Sequence, residues 1–363
     1  MPDADEPLRK AMARALDPYP ETAAGPRGGV ILRRADGVLP SADEVLNPAN
    51  DATTTLSAGG TLAIERNGLR CVLPRSFRAM SLELEYEEGF PIVSILRGVI
   101  RPLLQVVLVE NGGAAIHATT VEHRGRTIAV GGWSESGKTE TALAFLEDGA
   151  RFLSDKWTVL DADGRAATFP ISVGVRRWAL EALPRLSAEL PRAARAQLGV
   201  ARGASWLARP LTSRQPSGGL SGKAVGMLRT GLALGDRAAV GPSALARACG
   251  HELDPTHRPQ LDVLVVLQTV TGGPPRVEEA SREWAVQRMV QVAAYERRYL
   301  RQLLERASFA SPNDRGDEWA SLQHAEAAVL DRALRSVKIL RVRAPFPTDP
   351  GPVASAIEKA LDQ

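Results

Sequence analysis

The chain has 363 residues, 44% of them hydrophobic, with 45 Lys+Arg against 42 Asp+Glu and a formal net charge of +3. That apolar fraction can bury a substantial core, which excludes disordered and collagen-like classes, and the length fits about two domains or one large domain with appendages. The basic residues are mixed with acids rather than gathered in a block, and aromatics are only 5%, so nucleic acid has little support as a partner. Lysine is scarce: Lys10, Lys138, Lys156, Lys223, Lys338 and Lys359 are the only six, so 39 of the basic residues are arginine.

Residues 1–25 read as a short helical or frayed arm without the apolar run of a signal peptide. Cys71 and Cys249 are far apart, with no CxxC spacing and no histidine cluster, so a reduced, cytoplasmic protein without a zinc site or disulfide framework is expected. From Gly28 the pattern changes to strands and turns: VILRR, Asp36-Gly37, TLAIER, Asn67-Gly68 and LRCVLP. Asn-Gly between apolar runs predicts a hairpin, because both central positions of a type I′ turn need positive φ. An N-terminal, mainly antiparallel β region is therefore expected over residues 1–94, followed by an α/β domain over 95–363.

Residues 92–110 predict a buried helix interrupted near Pro102. Arg97, Arg101 and Pro102 cut its apolar run well short of a membrane span. AAIHATTVE and RTIAVGG, joined at residues 123–125, predict a hairpin that leads into GWSESGKTETALAFLEDGA. RFLSDKWTVL then reads as a strand, Asp161 to Gly164 as a turn, and residues 178–199 as broken helix. Residues 202–223 have loop composition; Arg202, Arg209 and Arg214 there are either solvated or part of a phosphate-contacting lid. LDVLVVLQTV is apolar throughout, as expected of a strand covered on both faces. Val286, Met289, Val290, Ala293, Leu300, Leu303 and Leu304 form one helical stripe facing the core. A helix over about 317–336, the strand KILRVRA and a helix over 352–362 complete an alternation typical of layered α/β domains.

Gly132-Trp133-Ser134-Glu135-Ser136-Gly137-Lys138-Thr139 matches G-x-x-x-x-G-K-[ST] and lies between a predicted strand and a predicted helix, the context this phosphate-binding loop needs. Backbone N–H groups and a helix N-terminus would face phosphate oxygens there. Lys138 would reach the β- and γ-phosphates and the Thr139 hydroxyl would coordinate Mg²⁺, making ATP and Mg²⁺ the expected cofactors. A crossover is expected to set RFLSD beside the loop strand, and its five residues, at about 3.3 Å each, would bring Asp155 to the phosphate edge. An acid there can bind Mg²⁺ through water or take a proton from a hydroxyl.

The segment GGWSESGKTETALAFLEDGARFLSDKWTVL resembles the core of the HPr kinase/phosphorylase-like P-loop proteins of the phosphoenolpyruvate carboxykinase clan. Lys138, Thr139, Glu140, Thr141, Ala142, Leu143, Gly149, Arg151 and Asp155 stand at matching positions. AAIHATTVEHRGRTIAV resembles the strand pair before the loop, with His117 at the place of the family's active-site histidine. TFPISV and LALGDRAAV are weaker matches. The resemblance implies a P-loop sheet domain of the HPr kinase C-terminal type, with nucleotide held by residues 132–140 and with Asp155, His117 and Lys138 in catalysis. Two features depart from it. Lys156 occupies the place of the second acid of an Asp-Asp pair, and the signature segment of true HPr kinases has no convincing copy.

The expected activity is therefore Mg·ATP-dependent phosphoryl transfer to a hydroxyl, either a serine of a protein or peptide or a small-molecule alcohol, with no membrane partner. The alternative is a nucleotide-binding regulatory or scaffold protein whose kinase site has degenerated, which Lys156 favours. The oligomeric state is left open, a homo-oligomer included.

Overall fold

A computed structural model describes residues 6–19, 29–37, 39, 44–47, 54–58, 61–199, 237–310 and 317–363. Arg202, Arg209 and Arg214 lie outside the described residues. After helix α1 (Glu6–Ala15), strands β1 (Gly29–Arg34), β2 (Glu44–Asn47), β3 (Thr54–Ala58), β4 (Thr61–Arg66), β5 (Leu69–Val72) and β6 (Ser81–Tyr86) form a sheet in the order β1-β6-β5-β4-β3-β2. Its pairs are antiparallel except β1 with β6, which run parallel. The β4–β5 turn has Asn67 and Gly68 at φ 54° and 76°, the left-handed geometry that an Asn-Gly hairpin requires.

The next apolar run is a helix in three parts, α2 (Ile92–Ile95), a π turn (Leu96–Ile100) and α3 (Arg101–Glu110), with Pro102 in the first turn of α3. Leu62, Ile64, Leu82 and Leu84 of the sheet share a core with Ile95, Val99, Leu103 and Val106 of this run. The run is long and apolar enough by composition to cross a membrane, but 61% of its most apolar window is buried inside the protein. The expected boundary at residue 94/95 thus falls within one helical run whose apolar side belongs to the N-terminal core.

The remaining elements are β7 (Ala114–Ile116), β8 (Ala118–His123), β9 (Arg126–Gly132), α4 (Lys138–Glu147), β10 (Arg151–Ser154), β11 (Thr158–Leu160), β12 (Ala166–Thr168), β13 (Val173–Arg176), α5 (Arg177–Glu181), α6 (Pro184–Glu189), β14 (Arg237–Val240), α7 (Pro242–Ala248), β15 (Val263–Val270), β16 (Arg276–Glu279), α8 (Arg282–Glu296), α9 (Arg298–Ala310), α10 (Glu318–Ala333), β17 (Lys338–Pro345) and α11 (Pro350–Leu361). A mixed sheet in the order β10-β8-β9-β15-β17-β16 lies at the centre. Along β15, Val263, Val265 and Leu267 join the core beneath α4 and α11, while Leu264 and Val266 join the core on the other face with Val286, Met289, Val329 and Leu330. Period-two alternation with both faces covered is why this strand has no polar side.

Two expected strands are each divided between sheets. AAIHATTVE breaks at His117, so that β7 pairs with β11 while β8 pairs with β9. RFLSDKWTVL breaks at Asp155–Trp157: Lys156 takes φ 62° and the Trp157 N–H donates to the Asp155 carbonyl at 2.7 Å. That tight turn sends β10 and β11 into different sheets. Nor is β10 the neighbour of β9, as expected of the crossover, because β8 lies between them. Since β8 is antiparallel to both, β9 and β10 still end at the same sheet edge. TFPISV ends at Val173, the first residue of β13, which pairs with Val240 at the end of LALGDRAAV and of β14.

The apolar stripe of residues 286–304 is divided at Arg297, and its two halves enter different cores. Arg297 is fully buried, donates to Glu326 Oε1 at 3.0 Å and makes a second bond to Oε2. A buried pair of this kind is costly to break from one side, because the remaining charge loses its compensation. Glu326→Gln is expected to lower stability by about 3–5 kcal/mol in urea unfolding. The double change Arg297→Met with Glu326→Leu should recover most of that loss, and equal losses in single and double variants would contradict the account.

Candidate functional site

The loop begins where β9 ends against β15. A Cβ on Gly132 (φ 145°) would lie 2.7 Å from the Leu267 carbonyl oxygen and 2.8 Å from Ser136 Oγ, so the strand end admits only glycine. At the other end Gly137 (φ 90°) is the N-cap of α4 and provides no side-chain cap. The first-turn N–H groups of that helix are thereby left to other acceptors, the arrangement that favours an anion. α4 closes as expected, with Gly149 at φ 88° and the Ala150 N–H on the Phe145 carbonyl at 2.9 Å.

Residues 134–140 line one cleft of about 220 Å³ together with His117, Asp155 and Lys156. Gly132 lies behind it, and Trp133 turns outward: half exposed, it packs on Tyr295 with ring centres 4.6 Å apart. Asp155 Oδ1 accepts a hydrogen bond from Thr139 Oγ1 at 2.8 Å and another from Thr119 Oγ1. Its Oδ2 has no hydrogen-bond partner among the described residues. The carboxylate at the end of β10 is thus tied to the hydroxyl of the loop motif across the width of β8.

Lys138 is buried, and its Nζ donates to the Trp133 carbonyl oxygen at 2.5 Å. Burial pulls its pKa down to about 8, against the opposing charges of Asp155, Glu296 and Glu140, and the Lys156 cation adds to the lowering. Ser136 Oγ is buried without a partner. On the outer side Arg176 holds Glu135 at 2.9 Å and Glu140 at 3.4 Å, which braces the loop against β13. Burial also lifts the Glu140 carboxyl above its usual range.

His117, at the corner between β7 and β8, is buried with its ring 5.1 Å from that of Trp157, and its Nδ1 has no partner. Burial, with the charges of Lys138 and Lys156, pulls its pKa down to about 2. The ring is therefore neutral at physiological pH and acts as a hydrogen-bonding group. Lys156 sits 3.6 Å from Glu296, and burial lowers its pKa too.

The donor set fits Mg²⁺: a hydroxyl and a carboxylate offer hard oxygen ligands, and this ion commonly takes one or two carboxylates with phosphate oxygens and water. Among the described residues no group of three or more His, Cys, Asp or Glu gathers as a metal site, so the ion would depend on those phosphate oxygens. The unpartnered Ser136 hydroxyl and the uncapped helix start fit phosphate in the same way. Arg97, Arg176, Arg237, Glu296 and Arg298 also line the cleft, and sequence reasoning did not single them out. Among 39 arginines the residue type carries no signal; the available sign was the charged run Glu296-Arg297-Arg298 interrupting an apolar stripe. No protein-family model and no curated protein matches the chain.

Gly132→Ala is expected to cost about 1–3 kcal/mol in denaturant unfolding through backbone strain and the close carbonyl contact. Unchanged stability would mean that the loop does not leave β9 in this geometry.

Proposed function

We propose that the chain is a Mg·ATP-dependent phosphotransferase acting on a hydroxyl, of the HPr kinase/phosphorylase-like P-loop type. The observation that carries the proposal is the junction of Asp155 with Thr139 at the mouth of the loop. The N–H groups of residues 134–139 and the Lys138 ammonium would bind the triphosphate, with Lys138 moving off the Trp133 carbonyl to do so. Thr139 and Asp155 would hold Mg²⁺, which when bound neutralises charge on the phosphate oxygens. The Oδ2 atom of Asp155 would take the proton of the incoming hydroxyl. The acceptor oxygen then bonds the γ-phosphorus, the bond from that phosphorus to the β–γ bridging oxygen breaks, and ADP leaves. His117, neutral and with Nδ1 unpartnered, would orient the acceptor by a hydrogen bond. Positioning and charge neutralisation supply most of the catalysis in this chemistry, so a short set of residues suffices. Both cysteines are free, in keeping with a reducing, cytoplasmic setting.

Lys138→Ala is expected to abolish ATP binding in calorimetry while the protein remains folded. Because phosphate charge favours the lysine cation whose pKa burial holds near 8, wild-type binding should take up protons at about pH 9, and the uptake should fade toward neutral pH. Unchanged ATP affinity in the variant, or no uptake at the higher pH, would contradict this role.

The second reading, a nucleotide-binding scaffold with a degenerate site, rests on Lys156 in place of the family's second acid. Lys156→Asp is tolerated by the left-handed backbone at this residue (φ 62°). Phosphoryl transfer in the wild type, measured with labelled ATP, is the expected result. Transfer seen only in the variant would establish the degenerate reading instead.

A further inference from the structure

A second cavity, of about 630 Å³, lies where the helical run of residues 92–110 faces the phosphate site. It shares Arg97, Lys156, Glu296 and Arg298 with the P-loop cleft, so the Lys156–Glu296 pair stands in a wall common to both. Its charge is one-sided. Arg66, Arg97, Arg101 and Arg298 all line it, and none has an acid within ion-pair distance among the described residues. Glu296 is the only carboxylate among the described lining residues, and Lys156 already engages it. Arg101 is fixed by bonds to the carbonyls of Pro170 (3.0 Å) and Ala15 (3.1 Å). Burial and the neighbouring Arg97 charge both oppose its cation. An anion in the cavity would relieve that repulsion.

Two buried polar atoms narrow the ligand further. Gln105 is 2% exposed, lines the cavity, and its Oε1 accepts no hydrogen bond. Arg66 Nε is likewise buried without a partner. A buried carbonyl oxygen without a donor is costly, so a ligand that satisfies it must carry a donor as well as a negative group. The volume is within the range of about 300–1,000 Å³ typical of small-molecule sites.

We propose that this arginine-lined cavity is the acceptor pocket, and that the acceptor is a small molecule bearing both an anionic oxygen group and a hydroxyl. The inference rests on the kinase reading above and adds the substrate class. It also accounts for Lys156, since a cation in the shared wall faces the transferring phosphates on one side and the anionic acceptor on the other. The anionic group is a phosphate ester or a carboxylate, and these share the same guanidinium chemistry.

The test is calorimetry on the full chain with Mg·ADP, inorganic phosphate, glycerol 3-phosphate, glycerate and, as a neutral control, glycerol. Transfer from Mg·ATP to the two hydroxy anions is followed by phosphorus NMR. The expected result is saturable binding of the anions but not glycerol, weakened at least tenfold in Arg66→Gln and in Gln105→Leu, with Mg·ADP affinity changed less than twofold. One hydroxy anion should gain a phosphoryl group, and the tighter of the two identifies the anionic group. Normal Mg·ADP binding with no anion bound, with anion affinity unaltered in both variants, or with no phosphorylated probe would overturn the acceptor assignment alone. Failure of Mg·ADP to bind the wild type would overturn the kinase reading and the acceptor role with it.

Discussion

Two threonine hydroxyls meet on one oxygen of Asp155: Thr139 from the start of α4 and Thr119 from the middle layer of the hairpin. This junction spans three strands in a row, since β8 lies between β10 and β9, the strand that leads into the loop and α4. Its position follows from the backbone. The chain must leave the sheet directly after Ser154, and the left-handed conformation of Lys156 turns it toward β11. The same break sets the Trp157 ring against His117, so the two candidate polar groups of the cleft are fixed by one turn. A carboxylate held by two hydroxyls loses conformational freedom before any ligand arrives, which is the preorganisation that phosphoryl transfer relies on.

Charge explains much of the rest. Burial disfavours the protonated forms of Lys138 and His117; nearby cations add to this at His117, whereas at Lys138 the charges of Asp155, Glu296 and Glu140 work against it. Burial likewise disfavours the Arg101 cation in the neighbouring cavity. Burying cationic groups is costly in a protein standing alone, and the cost is offset when anions enter. Lys156, which stands where the resembled pattern has an acid, lines both cavities.

Much of this was legible in the residues. The Asn67-Gly68 hairpin, the interrupted helix near Pro102, the doubly covered strand β15 and the loop from Gly132 to Thr139 all follow from local rules of turn chemistry and periodicity. The breaks at His117 and at Asp155–Trp157 were not legible, because runs that continue the strand pattern carry no mark of a change of sheet. The intervening β8 was hidden for a related reason: pairing order is a long-range property. Arg97, Arg101 and Gln105 recur every four residues along one helical run, but Arg66, Glu296 and Arg298 join them from distant parts of the chain, and no local spacing announces that convergence.

The central claim is that the loop and Asp155 form one phosphate and metal site. A crystal structure of the full chain with Mg²⁺ and a non-hydrolysable ATP analogue tests it most directly. The account predicts triphosphate oxygens on the N–H groups of residues 134–139, Lys138 Nζ moved from the Trp133 carbonyl to the phosphates, and the metal between Thr139 and Asp155. A nucleotide bound elsewhere, or bound with Lys138 still on Trp133 and Asp155 remote from the metal, would contradict it.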